Sequence, residues 1–453
     1  MGLANCPVEI FLQILENVSP DDIANFAFTC RRIRKLAADR LQEHEWLRSE
    51  FTTLHAGYRF GRVINTLRNI WEHRRLRYYV KVLKFTQREN VSTVITPGAR
   101  SLAVQILRAS PYTNHKPNLP ALLDAFLAAP KNNSVRQVEQ WTHAILGLLV
   151  SLLPNLETLQ VEVGDIGDGF LPKFLSTIQR SNAQDASLPA LRKLRDLTVL
   201  SHYPDQSLEA ISPLLATPTL RTVHLAHFQS DPTCIPNVPA TNAITDLKAT
   251  ACDFFQGSGY NFFPHLRRLR VESSFMGTST PAELRTVDGI VTGLERWSDG
   301  GLEVLELVGA CRGVRRRITE ILPSLKALKV IYIEDDQLIG PESVDPSDPE
   351  VSFVTEEKVA EWTPWLVDVL PASAEYVTLD LVAYGPFVKP FLETLFSAFE
   401  EEKVVKCPNL RVIRVGMVPV SVFGPGAEWL CWIRDSCARV GVHFFAHSGC
   451  VGA

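Results

Sequence analysis

Two hydrophobic rhythms run along this chain, one near the helical period at the N-terminus and one of period two that returns to the end. Apolar residues at Ile10, Phe11, Ile14, Leu15 and Val18 lie on one helical face, with Pro7 placed for a first turn. Ser19, Pro20, Asp21 and Asp22 follow as a start signal: a capping serine, a proline, then two acids in the positive first turn. The next helix carries Ile23, Phe26 and Ala27 on one face. Thr29 is placed to cap a third, Cys30 to Ala37, that runs toward Trp46 and Leu47. Three short helices bury only a small core, so the simplest reading is a helical cap that needs a neighbour for stability. Residues 46–77 keep helical spacing through Val63, Ile64, Leu67 and Ile70. Their arginines (Arg68, Arg74, Arg75, Arg77) read as a solvated face, because no stacking platform accompanies them.

The second rhythm begins near residue 78 as a phrase, apolar-x-x-apolar-x-apolar, whose last three positions are those of a short strand with one buried side. Copies start at Val80, Leu156, Leu194, Leu220, Ile244, Leu266, Leu302, Leu325, Ala374 and Leu410. The spacings are 76, 38, 26, 24, 22, 36, 23, 49 and 36 residues. Helical candidates lie between them: Trp141–Leu153, Phe170–Gln179, Ser207–Ala216, Pro281–Trp297 and Pro386–Phe399. Helices alternating with strands predict a parallel sheet. The shorter spacings are those of repeat arrays, and the rival is a separate doubly wound α/β domain. The strand residues between the buried ones then share one open face. They include Thr158, Gln160, Thr222, His224, Asp246, Lys248, Arg268, Arg270, Val304, Glu306, Ala327, Lys329, Val412 and Arg414.

The order Pro7, Glu9, Ile10, Ile14, Leu15, Val18, then Pro20, Asp22, Ile23, then Phe26, Ala27, Thr29, Cys30, Arg31, Arg32 resembles the F-box. Cys6 and Ile33 stand where that family usually has leucine and often tryptophan. Both keep an apolar side chain. The resemblance covers residues 5–40, and the repeats after it resemble the degenerate leucine-rich repeats that follow an F-box in many fungal proteins. It implies an α/β protein: an N-terminal three-helix F-box (1–45), a helical linker (46–77), and an irregular leucine-rich-repeat-like solenoid (78–453) with a parallel sheet on its concave face. It further implies docking on the Skp adaptor of a cullin-based (SCF) ubiquitin ligase through Pro7, Ile10, Ile14, Val18, Ile23, Phe26 and Cys30. A protein target would be held by the sheet at Thr158, Gln160, Arg268, Arg270, Glu306, Lys329 and Arg414. The alternative within this resemblance is an adaptor-binding scaffold that acts outside a ligase.

Composition narrows the picture little further. With 46% hydrophobic and 21% charged residues, the 453-residue chain is not mostly disordered. A net charge of −4 gives no reason to expect nucleic acid. The charge is uneven, net +5 over residues 1–90 and −11 over 334–453. No apolar run approaches the ~20 residues of a bilayer span, and Glu9 interrupts the first apolar stretch, so neither a signal peptide nor stable membrane association is expected. Nine cysteines without a paired motif fit a reducing compartment, cytoplasmic or nuclear. No nucleophile elbow, phosphate loop or dinucleotide fingerprint is present, so no enzyme activity and no cofactor are expected. His224 with His227, and the group Cys431, Cys437, His443, His447 and Cys450, lack zinc-site spacing. Gly2 and Cys450 are weak lipidation signals. The acidic, proline-rich stretch 334–357, with Ser343 and Ser347, reads as a mobile solvated loop.

Overall fold

The computed structural model describes residues 6–57, 60–86, 97–113, 135–163, 170–201, 206–229, 243–252, 263–272, 293–295, 297, 301–309, 315–334, 338, 355–381, 387–418 and 428–448. It forms two compact units, Met1–Gln206 with Ala210–Leu220, and Ser207–Glu209 with Arg221–Ala453.

The first unit opens with helices α1 (Val8–Asn17), α2 (Ile23–Ala27), α3 (Arg31–Leu36) and α4 (Ala38–Phe51). Four strands follow: β1 (Thr53–Gly57), β2 (Val82–Thr86), β3 (Thr158–Val163) and β4 (Asp196–Ser201). They pair in parallel and in chain order. Their connections carry helices α5 (Phe60–Glu72), α6 (Pro97–Ala109), α7 (Val135–Leu152) and α8 (Phe170–Gln184), as parallel pairing requires. Alternate strand residues (Leu83 and Phe85, Leu159 and Val161, Leu197 and Val199) are buried. The sheet thus has one sealed side and one open side.

Strand β1 lies where an all-helical linker was expected. Its source is a weak copy of the repeat phrase, Phe51, Leu54 and Ala56, overlapped by the helical pattern of α4. Gly57 sits so close to β2 that a Cβ there would lie 2.7 Å from the Thr86 carbonyl oxygen. The expected boundary at residue 45 falls inside α4, which runs without a break to Phe51.

The second unit holds β5 (Thr222–Ala226), β6 (Asp246–Thr250), β7 (Arg268–Glu272), β8 (Val304–Val308), β9 (Val330–Glu334), β10 (Tyr376–Asp380), β11 (Val412–Val418) and β12 (His443–Ser448). These also pair in parallel and in chain order. A doubly wound sheet would reverse its order at a switch point. Neither unit does. Helices α9 (Arg315–Ile321), α10 (Glu356–Trp362), α11 (Leu366–Val369), α12 (Val388–Leu395), α13 (Phe399–Lys406) and α14 (Glu428–Arg439) fill its connections from β8 onward. Residues 281–292 of the helix expected at Pro281–Trp297 lie outside the described residues.

A backbone device repeats along both units. At most steps one carbonyl just before a strand accepts two N–H groups from the start of the next strand. The Lys81 oxygen takes Glu157 and Thr158, the Thr245 oxygen takes Arg267 and Arg268, and the Glu303 oxygen takes Lys329 and Val330. The Lys329 oxygen takes Glu375 and Tyr376. This corrects the register of one repeat. Lys329 occupies the pre-strand step beside Glu303 and Glu375, and the phrase is Leu328, Ile331 and Ile333, three residues later than the copy starting at Leu325. The pattern fits itself after a slip of three, because Leu325, Leu328 and Val330 also satisfy it. Burial of Ile331 and Ile333 against their neighbours selects the later frame. Ala327 and Lys329 therefore leave the open strand face, and Val330 and Tyr332 take their places.

Candidate protein-docking surfaces

The four N-terminal helices close on a core of Leu15, Ile23, Ala27 and Ala37, with Val18, Phe26 and Leu41 packed around it. Phe11 and Ile33 are buried as well. Between α1 and α2 the Ser19 hydroxyl donates to Asp22 at 2.9 Å. Cys30, not Thr29, caps α3: its Sγ accepts the Ile33 N–H at 3.4 Å, while the Thr29 hydroxyl donates to the Phe26 carbonyl.

Among the polar residues on its surface, this segment also leaves large apolar side chains exposed. Val8 and Leu12 are each 38% exposed, Ile10 43% and Phe28 60%. The Phe28 ring is covered on one face only by the Arg34 guanidinium, 4.9 Å from its centroid. Of the expected docking residues, Pro7 and Ile10 are open to solvent, and Ile14, Val18, Phe26 and Cys30 are half-buried. Ile23 is a correction. It has no exposed surface and is a centre of the internal core. The helical spacing of Ile23, Phe26 and Ala27 marks one face, and that face points inward. Val8, Leu12 and Phe28 are apolar residues outside that spacing, which was the sequence signal available for them.

This helical segment is tied to the sheet of its own unit. Glu43 of α4 accepts from Arg40 and Arg75, and Asp21 pairs with Lys81 and Lys193 at 3.6 and 3.7 Å. The buried His44 ring meets the Tyr79 hydroxyl at 3.0 Å. Burial, then the charges of Arg48 and Arg75, push the His44 pKa below its ordinary value. Tyr112, also buried, accepts the Ala190 N–H at 2.8 Å through its hydroxyl oxygen.

Residues 3–42 match the F-box-like family. The F-box-like segment spans α1 to α3 and the start of α4, and the exposed Val8, Ile10, Leu12 and Phe28 all belong to it. No curated protein matches the chain. Among the described residues no helix is long and apolar enough to cross a membrane.

The second surface is the open side of the strands. In the first unit Thr158 and Gln160 are half-buried on β3, and the Thr158 hydroxyl donates to Asp196 at 3.3 Å. In the second unit the open side carries a chain of charges centred on Glu272. This carboxylate takes Lys248 at 2.9 Å, the Arg270 guanidinium at 2.6 Å and the Thr250 hydroxyl at 3.1 Å. Arg270 continues to Glu306 at 2.9 Å. Burial pushes the Glu272 pKa up, but the hydrogen bonds from Lys248, Arg270 and Thr250 outweigh it and hold it below the usual carboxylate range. Arg268 is exposed and reaches Asp246 at 3.5 Å. Arg414 is exposed and makes no ion pair with a described residue. Beyond Glu306, Tyr332 donates to Asp380, whose carboxylate lies over Gly416. Glu334, expected at the start of an acidic loop, is buried at the end of β9 and accepts the Gly309 N–H at 2.6 Å. Residues 335–337 and 339–354 of that stretch lie outside the described residues.

Among the described residues no three ligand-type side chains gather as a metal site. His224 approaches Thr250 at 3.4 Å, and burial, then Lys248, lower its pKa. Cys407 and Cys437 are buried, and burial pushes their thiols up to about 11 and about 12, the protonated, unreactive condition. Cys450 lies outside the described residues.

Proposed function

We propose that this chain is the substrate-recognition subunit of a Skp–cullin–F-box ubiquitin ligase. The observation that carries the reading is the F-box-like segment with Val8, Ile10 and Leu12 exposed on its first helix and Phe28 exposed just after its second. Exposed apolar side chains gathered on one small segment mark a protein interface. Docking on the Skp adaptor buries them, and the adaptor brings the cullin. The strand-rich remainder acts as an irregular leucine-rich-repeat-like solenoid whose open face holds a protein target. Strands following in chain order, most of them advanced by the same carbonyl step, support that architecture.

The chain makes and breaks no bond in this reading. It holds a target lysine beside a charged conjugating enzyme, which raises effective concentration and removes orientational freedom from the transfer. It works in the cytoplasm or nucleus, without nucleic acid or cofactor. The test is reconstitution from purified parts. The full chain, a Skp adaptor and a cullin should elute as one complex by size exclusion. A complex with adaptor that excludes cullin would replace the ligase with a scaffold role. Failure to bind the adaptor would overturn the reading.

A further inference from the structure

On the open side of the second unit's sheet, one row changes character along its length. Thr222 begins it, and Asp246 and Arg268 follow as a charge pair. Val304, Val330, Tyr376 and Val412 then stand directly opposite one another on β8 to β11. Tyr376 is 44% exposed and the three valines are half-buried. At strand spacing this apolar stripe extends roughly 14 Å across the strands.

The charges around the stripe are unevenly committed. Glu303 is engaged by Arg267 and Glu306 by Arg270, whereas Asp380 and Glu334, each four residues further along its strand than the stripe, are hydrogen-bonded by the neutral Tyr332 hydroxyl and Gly309 N–H and keep their charge. Lys329, Arg411 and Arg414 make no ion pair with a described residue, and all three are exposed. Glu375, beside Tyr376, also makes no ion pair with a described residue, but it is half-buried. Among the described residues within two positions of the stripe, the charge without an ion-pair partner is therefore net positive.

Spacing selects the shape of a guest. A helix laid across the strands presents a side chain every turn, at 5.4 Å, close to the strand separation of about 4.8 Å. After three steps a helix is out of step by roughly 2 Å, whereas alternate residues of an extended peptide are out by roughly 6 Å. We propose that the stripe Val304–Val330–Tyr376–Val412 is a docking site for an amphipathic α-helix of a protein target, apolar once per turn and acidic at its flanks. This deepens the ligase reading above and rests on its assignment of the strand face to target binding.

The probe is a fluorescein-labelled synthetic peptide with leucine once per turn over three turns and glutamates beside them, titrated with the full chain by anisotropy. Two comparison peptides carry lysines for the glutamates or a central helix-breaking proline. The acidic helix should bind, and both comparisons should bind more weakly by about tenfold or more, a difference an interface anchor or charge set readily supplies. Tyr376→Ser should weaken the acidic helix by a similar factor while Tyr376→Phe retains it, with unchanged circular dichroism for both. Arg414→Glu should remove much of the preference for glutamate over lysine. No binding of the acidic helix, equal binding of the proline peptide, or an unaffected Tyr376→Ser variant would overturn the proposal. Adaptor capture is measured on the same samples. Adaptor bound without peptide defeats the helix site alone, and peptide bound without adaptor defeats the ligase reading alone.

Discussion

Replacing Ile10 and Phe28 together by alanine separates docking from folding, because both side chains lie largely outside the F-box-like core. Full burial of such a side chain is worth about 1.5–3 kcal/mol. With 43% of Ile10 and 60% of Phe28 still exposed, closing them against an adaptor contributes about 0.6–1.3 and about 0.9–1.8 kcal/mol by the same area scaling. Losing both weakens binding by about ten- to two-hundredfold. Ile10→Asp with Phe28→Asp goes further, since a carboxylate buried without a partner costs several kcal/mol. The part of each side chain already covered in the fold costs folding about 0.9–1.7 kcal/mol at Ile10 and about 0.6–1.2 kcal/mol at Phe28 by the same scaling. The control sits on the same helix. Phe11 is fully buried, and Phe11→Ala should cost about 3–5 kcal/mol of folding. Adaptor affinity by surface plasmon resonance and melting by calorimetry read the two effects apart. If the Ile10→Asp, Phe28→Asp chain kept its adaptor affinity within twofold while folded, the exposed apolar surface would not be the docking surface.

Tyr112→Phe should cost about 1–3 kcal/mol in urea denaturation, because the buried Ala190 N–H loses the oxygen it donates to. Gly57→Ala should destabilise by a similar ~1–3 kcal/mol, as a Cβ must displace the β2 backbone at Thr86. His44 and His224 both have lowered folded pKa values, so the unfolded chain takes up more protons, and melting temperature should fall as pH drops below the ordinary value of 6.5. His44→Gln should flatten part of that slope if the site tolerates it, and an unchanged slope in a folded variant would contradict the assignment. Glu272 acts lower on the scale. Its depressed pKa stabilises the fold above the ordinary carboxylate value of 4.5 and loses that contribution as pH falls through the folded value, so Glu272→Gln should flatten the acid limb of a melting profile.

The F-box-like helices were legible because their apolar spacing is local. Their start signals were read a step off: Pro7 is the cap position of α1 and not inside its first turn, Asp22 and not Ser19 precedes α2, and Cys30 and not Thr29 caps α3. The strands were legible for the same reason: period two needs only a few residues. The weak copy at Phe51, Leu54 and Ala56 escaped because the helical rhythm of α4 overlaps it. Ile23 was misplaced because periodicity defines a face without saying whether that face looks inward or out. The frame at Leu328 was misread because the repeat phrase fits itself three residues apart.

Alternation within each phrase was enough to determine a one-side-buried strand, the helical stretches between phrases pointed to parallel pairing, and the chain alone also carried the F-box-like resemblance. Which residues become neighbours across the strands was decided only by packing. Lys248, the Arg270–Glu272 pair and Glu306 neutralise one another, and Val304, Val330, Tyr376 and Val412 line up, although more than twenty residues separate each strand's contribution from the next. Their meeting depends on long-range register, set by which aliphatic side chains seal against the adjoining strand and not by any pattern within a single segment.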